Sequence, residues 1–292
     1  MGYLFAIISS LFFSLYVVPR KLSKLSPAIF SFFMSVGFSI SSIVLYSFQH
    51  LLNFHETPNL TLLWSVVAGV IWATAFVAFI TSIDLIGLSR SNQWKNLQGP
   101  VGVFLSLLIL GEVATTNPIF ALLAAAAIFL SALFFTTISS SVEKHLNKSG
   151  IYLASLAALG FGSVAVIQKY VTTNVGTYSQ LVVWSLSITV SLFIYLLLTK
   201  KLTNITTSSQ KDIILGLIAG ILYLGASLFQ LLSYYFLAAS ISFTIIQLNT
   251  FWTITIGIVV FKEINLKKYY KNVLIGLLFT LIGIVFLGFA RK

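Results

Sequence analysis

The residues most able to do chemistry lie in one segment, Ser91-Asn-Gln-Trp-Lys-Asn-Leu-Gln-Gly-Pro100. It combines amide side chains, an ammonium, an indole and a Gly-Pro step. The chain around it is 58% hydrophobic and 8% charged over 292 residues. Amides offer donors and acceptors together, Lys95 adds a cation, and a proline inside a helix removes one backbone hydrogen bond. Polar, interrupted backbone at membrane depth is tolerated only against protein or a watery cavity. The segment therefore reads as the wall of a solute pathway, with Trp94, Lys95, Asn96 and Gln98 as binding candidates. A second stretch, Thr244 to Thr253, carries Gln247 and Asn249 but no charge. Its Thr244, Gln247 and Phe251 share one helical face.

For Lys95 two other readings stay open. It follows Arg90 by five residues and can snorkel to the interface, or it can pair with Asp84. Asn96 and Gln98 are too short to snorkel. They point about 200° apart on a helix, so one of them packs against protein. Trp72, Trp94, Trp184 and Tyr223 are aromatic candidates, because a ring covers sugar C–H surface while amides bind hydroxyls. With 26 phenylalanines in the chain, lipid-facing or core placement competes for each. Scattered serines and threonines, such as Ser35, Ser39 and Ser42, suit helix–helix contacts of about 0.6 kcal/mol.

The chain has six acids. Asp84, near a span end, is the candidate for ion coupling, with an interfacial role beside Arg90 as the alternative. Glu112 and Glu263 end corresponding spans and read as architectural. There is no cysteine, and His50, His55 and His145 lack ligand spacing, so no metal or other cofactor is expected. Nucleophile elbow, P-loop, HExxH and paired carboxylates are missing, which argues against an enzyme. The net charge of +11 has no basic domain to carry nucleic-acid binding. The N-terminus reads as a retained first span rather than a removed signal peptide.

The elements that must position these residues follow from hydropathy. Ten apolar stretches suffice to cross about 30 Å of hydrocarbon. They run roughly 2–19, 27–48, 62–84, 91–111, 118–137, 150–170, 177–199, 212–236, 240–261 and 270–290. The expected fold is an all-α integral membrane protein of ten transmembrane helices, in two inverted five-helix repeats. The repeats cover 1–137 and 150–292, and a cytoplasmic linker covers 138–149. Lysine and arginine concentrate in the odd-numbered connections, which places those in the cytoplasm and both termini outside. Residues 65–112 align without a gap on 216–263, with Asn96 over Gln247 and Gln98 over Asn249. An odd number of spans per half inverts the second half, an arrangement of secondary transporters with a midplane site.

Ten spans in two halves, Leu110-Gly111-Glu112 closing the fourth and Glu263 at the matching point, resemble the drug/metabolite transporter superfamily, as an EamA-like ten-helix member. Phe13-Ser-Leu-Tyr-Val-Val-Pro-Arg-Lys21 and Gly87-Leu-Ser-Arg-Ser91 resemble its glucose/ribose porter branch. Lys262 departs from the glycine expected in the second half. The resemblance implies uptake of a sugar driven by protons, which the sequence itself supports only through Asp84. The expectation is a secondary active transporter of a small sugar-like metabolite, multi-pass in the cell membrane and monomeric or homodimeric, working by alternating access. An exporter of amino acids or drugs on the same fold, and a non-transporting receptor or scaffold, are the alternatives.

Overall fold

A computed structural model describes residues 1–49, 56–86, 88–136, 147–202, 205, 208–261 and 266–291. The first half contributes α1 (Gly2–Leu15), α2 (Val17–Leu22), α3 (Pro27–Phe48), α4 (Leu63–Ile86), α5 (Leu88–Lys95), α6 (Gln98–Ile109) and α7 (Pro118–Thr136). The second contributes α8 (Lys148–Asn174), α9 (Tyr178–Leu198), α10 (Gln210–Tyr234), α11 (Ala239–Ile246), α12 (Asn249–Val259) and α13 (Leu266–Ala290). Among the described residues the β-structure is a lone Thr116–Arg291 bridge.

Among the described residues, seven helical segments are long and apolar enough to cross a bilayer. These are Gly2–Leu22 (α1 with α2), α3, Leu60–Ile86 (α4 with its leading turn), α8, α9, α10 and Tyr269–Ala290 within α13. The stretches expected at 91–111 and 240–261 are instead split, into α5 with α6 and α11 with α12. The apolar α7 is shorter than the seven.

The splits have a local cause. Before α6 the Leu97 N–H donates to the Trp94 carbonyl at 3.2 Å and the Gly99 N–H to that of Asn96 at 3.3 Å. Before α12 the Leu248 N–H donates to the Ile245 carbonyl at 3.0 Å, and the Thr250 N–H to that of Gln247 at 3.3 Å. Both are tight, three-residue closures that turn the chain between helices. Pro100 occupies the first turn of α6, whose N–H groups lack an intrahelical partner in any helix. The break therefore falls one turn earlier, at Asn96–Leu97. Pro19 stands equally early in α2, just after the joint at Tyr16.

Packing runs across the two halves: α4 lies on α8, α10 on α3 and α1, α3 on α9, and α6 on α8, while α7 pairs with α13. Small residues permit the closest crossing. A Cβ on Gly220 would lie 2.3 Å from the Met34 carbonyl oxygen and 2.5 Å from the Phe38 nitrogen; one on Gly37 would lie 2.4 Å from the Leu217 carbonyl oxygen. Backbone meets backbone there, as small residues allow in membrane helices. Ile43, Val70, Ile194, Leu197 and Leu281 are exposed on the outside, the apolar surface that lipid requires.

Gly220→Val is expected to destabilise by about 2 kcal/mol or more through overpacking at a contact that cannot yield. Gly288, with nothing within 4 Å of an added Cβ, supplies the control: Gly288→Ala should be neutral or stabilising. Thermal unfolding of both variants in detergent measures the difference.

Candidate functional site

A chamber of about 740 Å³, counting its open side, lies between the helices. Its aromatic wall is built by spacing. Trp72, Phe76 and Phe79 recur on one face of α4 at steps of four and three, and Phe161 with Gln168 and Tyr223 with Gln230 recur at seven on α8 and α10. Tyr223 is the hub. Its ring centroid lies 5.5 Å from Phe13, 5.2 Å from Tyr16, 5.2 Å from Phe38, 5.8 Å from Trp72 and 6.1 Å from Trp184. Most of these contacts are edge-to-face, the arrangement the ring quadrupole favours, while Trp72 stacks flat on Phe76 at 5.3 Å.

The two helix breaks bring polar groups to this wall. Lys95 and Gln98 come from the α5–α6 break, Gln247 and Asn249 from the α11–α12 break. Gln98 Nε2 donates to Gln247 Oε1 at 3.0 Å, joining the two breaks directly. Elsewhere on the wall Gln230 Nε2 donates to Gln168 Oε1 and to the Tyr234 hydroxyl, both at 2.8 Å. Two buried donors on the wall, Trp184 Nε1 and Gln168 Nε2, have no partner among the described residues. The Lys95 ammonium lies 5.8 Å from the Phe79 ring centroid, a cation–π contact, rather than against Asp84. Rings for C–H surface and amides for hydroxyls fit a small, hydroxyl-rich solute.

The family model described as "Sugar transport protein" matches residues 50–290. The chain belongs to that sugar transport family. It is a multi-pass cell-membrane transporter of sugars and not an enzyme. Two relatives are the probable glucose uptake protein GlcU of Bacillus cereus (strain ATCC 10987 / NRS 248) and the glucose uptake protein GlcU of Bacillus subtilis (strain 168). The first is 24% identical over 260 residues, covering 88% of this chain and 87% of the relative. The second is 22% identical over 266 residues, with the same coverage of 88% and 87%. A solved crystal structure shares the fold with a TM-score of 0.73 at 10% identity, over 98% of this chain and 95% of that one.

Seven residues singled out in the sequence meet on the chamber wall of this sugar transporter: Trp72, Lys95, Gln98, Trp184, Tyr223, Gln247 and Asn249. Trp94 and Asn96 do not. Trp94 is 40% exposed and does not line the chamber. Asn96 borders a separate small void with Pro100, Thr244 and Gln247, as the angular separation from Gln98 requires. Asp84 is exposed near the end of α4, outside the wall and engaged with other partners. Gln168 and Gln230 were missed. Each is a lone amide in an apolar run, two helical turns beyond an aromatic of the same wall, and that spacing was the available signal. His50, His55, His145 and Glu263 lie outside the described residues.

Past Gln168 and Gln230 the bundle is closed by charged joints. Glu112, 6% exposed, accepts from the backbone N–H groups of Ala239 and, at 2.9 Å, Ser240, which open α11. Beside it Lys169 Nζ donates to the carbonyls of Tyr234 and, at 3.2 Å, Leu237, where α10 ends. Glu56 accepts from the Tyr178 N–H at 2.8 Å and from the Ser179 N–H and hydroxyl at 2.7 Å each, at the start of α9. Gly176, at φ 135°, leaves room for that carboxylate; a Cβ there would lie 2.3 Å from it. Anions at helix N-termini are favoured by unpaired N–H groups and the helix dipole. Glu112→Ala strips the partner from two buried N–H groups, and thermal unfolding is expected to report a loss of about 2 kcal/mol or more. Glu112→Gln, which keeps one acceptor, should lose less.

Proposed function

We propose that this sugar transporter binds a monosaccharide in the central chamber and moves it by alternating access. The observation that carries the assignment is the pairing of an aromatic hub at Tyr223 with two buried donors, Trp184 Nε1 and Gln168 Nε2, that have no partner among the described residues. A buried donor without a partner costs about 1–3 kcal/mol. A sugar hydroxyl oxygen removes that cost while its C–H face lies on Trp72 or Tyr223. The relatives named for glucose uptake favour a hexose.

The mechanism follows from a two-halved design, with ten spans as inverted repeats within the drug/metabolite transporter superfamily. On this reading α5 with α6 forms the fourth span, α7 the fifth and α11 with α12 the ninth. Several observations support it. The helix breaks fall at Leu97 and Leu248, the same pair that the gapless alignment of 65–112 on 216–263 superposes. Side-chain hydrogen bonds join Gln98 to Gln247, Ser39 to Thr189 and Ser131 to Thr280, at sequence separations of 149, 150 and 149 residues. Contacts between near-equivalent positions are what a two-fold axis between the halves produces. The charge bias then sets odd connections in the cytoplasm and both termini outside.

Energy coupling is assigned to protons through Asp84. A proton falling through 100 mV supplies about 2.3 kcal/mol. Asp84→Asn should abolish the stimulation of uptake by an imposed pH gradient; unchanged stimulation removes Asp84 from the scheme.

Exchange of labelled glucose by the purified protein in liposomes tests the chamber itself. Trp184→Phe keeps the ring and deletes the donor, and Trp72→Ala deletes a stacking surface. Each is expected to lower exchange about tenfold, the loss of roughly 1.4 kcal/mol of solute binding. Trp94→Ala, outside the chamber, should stay close to the unaltered protein. Full exchange in both chamber variants overturns the assignment.

A further inference from the structure

The chamber wall carries one positive charge and two buried donors without a partner among the described residues. Lys95 is the charged residue on its wall, and no carboxylate lines it among the described residues. The Lys95 ammonium rests against the Phe79 ring, and no ion pair to it is formed among the described residues. The unpartnered buried groups on the wall, Trp184 Nε1 and Gln168 Nε2, are donors too, on side chains that are each 2% exposed. The Gln247 carbonyl oxygen, an acceptor on the same wall, is already taken by Gln98.

Lys95 is half-buried, and a cation partly withdrawn from water without a counter-charge is costly. A solute that brings negative charge relieves that cost, and a carboxylate does so through a charge-assisted hydrogen bond of about twice the neutral strength. A solute that brings an ammonium adds repulsion instead. We propose that Lys95 sets the charge selectivity of the chamber, which takes a carboxylate-bearing monosaccharide, a uronate or aldonate, ahead of the neutral sugar and excludes amino sugars. The inference rests on the chamber being the sugar site. The carboxylate pairs with Lys95, the ring lies along the aromatic wall, and hydroxyl oxygens accept from Trp184 and Gln168.

The test is competition against exchange of labelled glucose by the full-length protein in liposomes, with unlabelled glucose, glucuronate and protonated glucosamine as competitors. Glucuronate is expected to compete about tenfold better than glucose, and glucosamine about tenfold worse. In Lys95→Met the glucuronate-to-glucose ratio should fall to about one, and in Lys95→Arg, which keeps the charge, the preference should persist. A ratio taken within one variant cancels any uniform loss of folded protein. Should Lys95→Met give no exchange, the order of the three competitors on the unaltered protein decides. Equal competition by glucuronate and glucose there, or an unchanged preference in Lys95→Met, overturns the proposal while leaving the chamber in place. Failure of the unaltered protein to exchange glucose or be stabilised thermally by any of the three removes the chamber assignment as well.

Discussion

Every backbone amide that enters hydrocarbon must find its partner inside the protein, and this requirement organises the molecule. It forces helices throughout, and it restricts interruptions to places covered by other helices. The interruptions at Leu97 and Leu248 meet that condition. Gln98 and Gln247, flanking the two breaks, are each 8% exposed and hydrogen-bonded to one another. The same breaks put amides, and on one side an ammonium, at the heart of the bundle. Polarity at depth is thus a by-product of where the backbone is permitted to turn.

Two buried donors on the chamber wall have no partner among the described residues. Most polar side chains in the bundle close on nearby carbonyls, as Ser41, Thr74, Thr81 and Ser163 do on the turn before them. Trp184 and Gln168 do not. Unpartnered buried hydroxyls occur elsewhere in the bundle too, but these two N–H donors line the chamber together with Lys95.

The charges away from the chamber have a different task. Glu56 and Glu112 hold the first turns of α9 and α11, and Lys169 holds the last carbonyls of α10. These are helix ends, where backbone groups are left over and lipid offers nothing. In each carboxylate joint an acid from the first half binds a helix of the second, so end capping also ties the halves together.

How much of this was legible in the sequence depends on the range of the signal. Hydropathy alone gave the all-helical membrane class, and residue type with spacing gave most of the chamber wall, because both are local and periodic. The break falls at Asn96–Leu97 and not at Pro100, since proline in a first turn removes an N–H that the helix never uses, and the sequence offered no sign of that position in the span read as 91–111. Trp94 and Asn96 were grouped with Lys95 by proximity along the chain. Their separation from the wall depends on helix rotation, which neighbouring helices fix. Gln168 and Gln230 were visible as amides in apolar runs, yet their meeting, 2.8 Å apart and 62 residues distant in the chain, is a product of how α8 and α10 pack. The sequence by itself determined that the chain must span lipid and carry polar groups within it. Tertiary structure decided which of those groups face one another and which are left unpartnered, because hydrogen-bond satisfaction is a property of the assembled bundle and of no single helix.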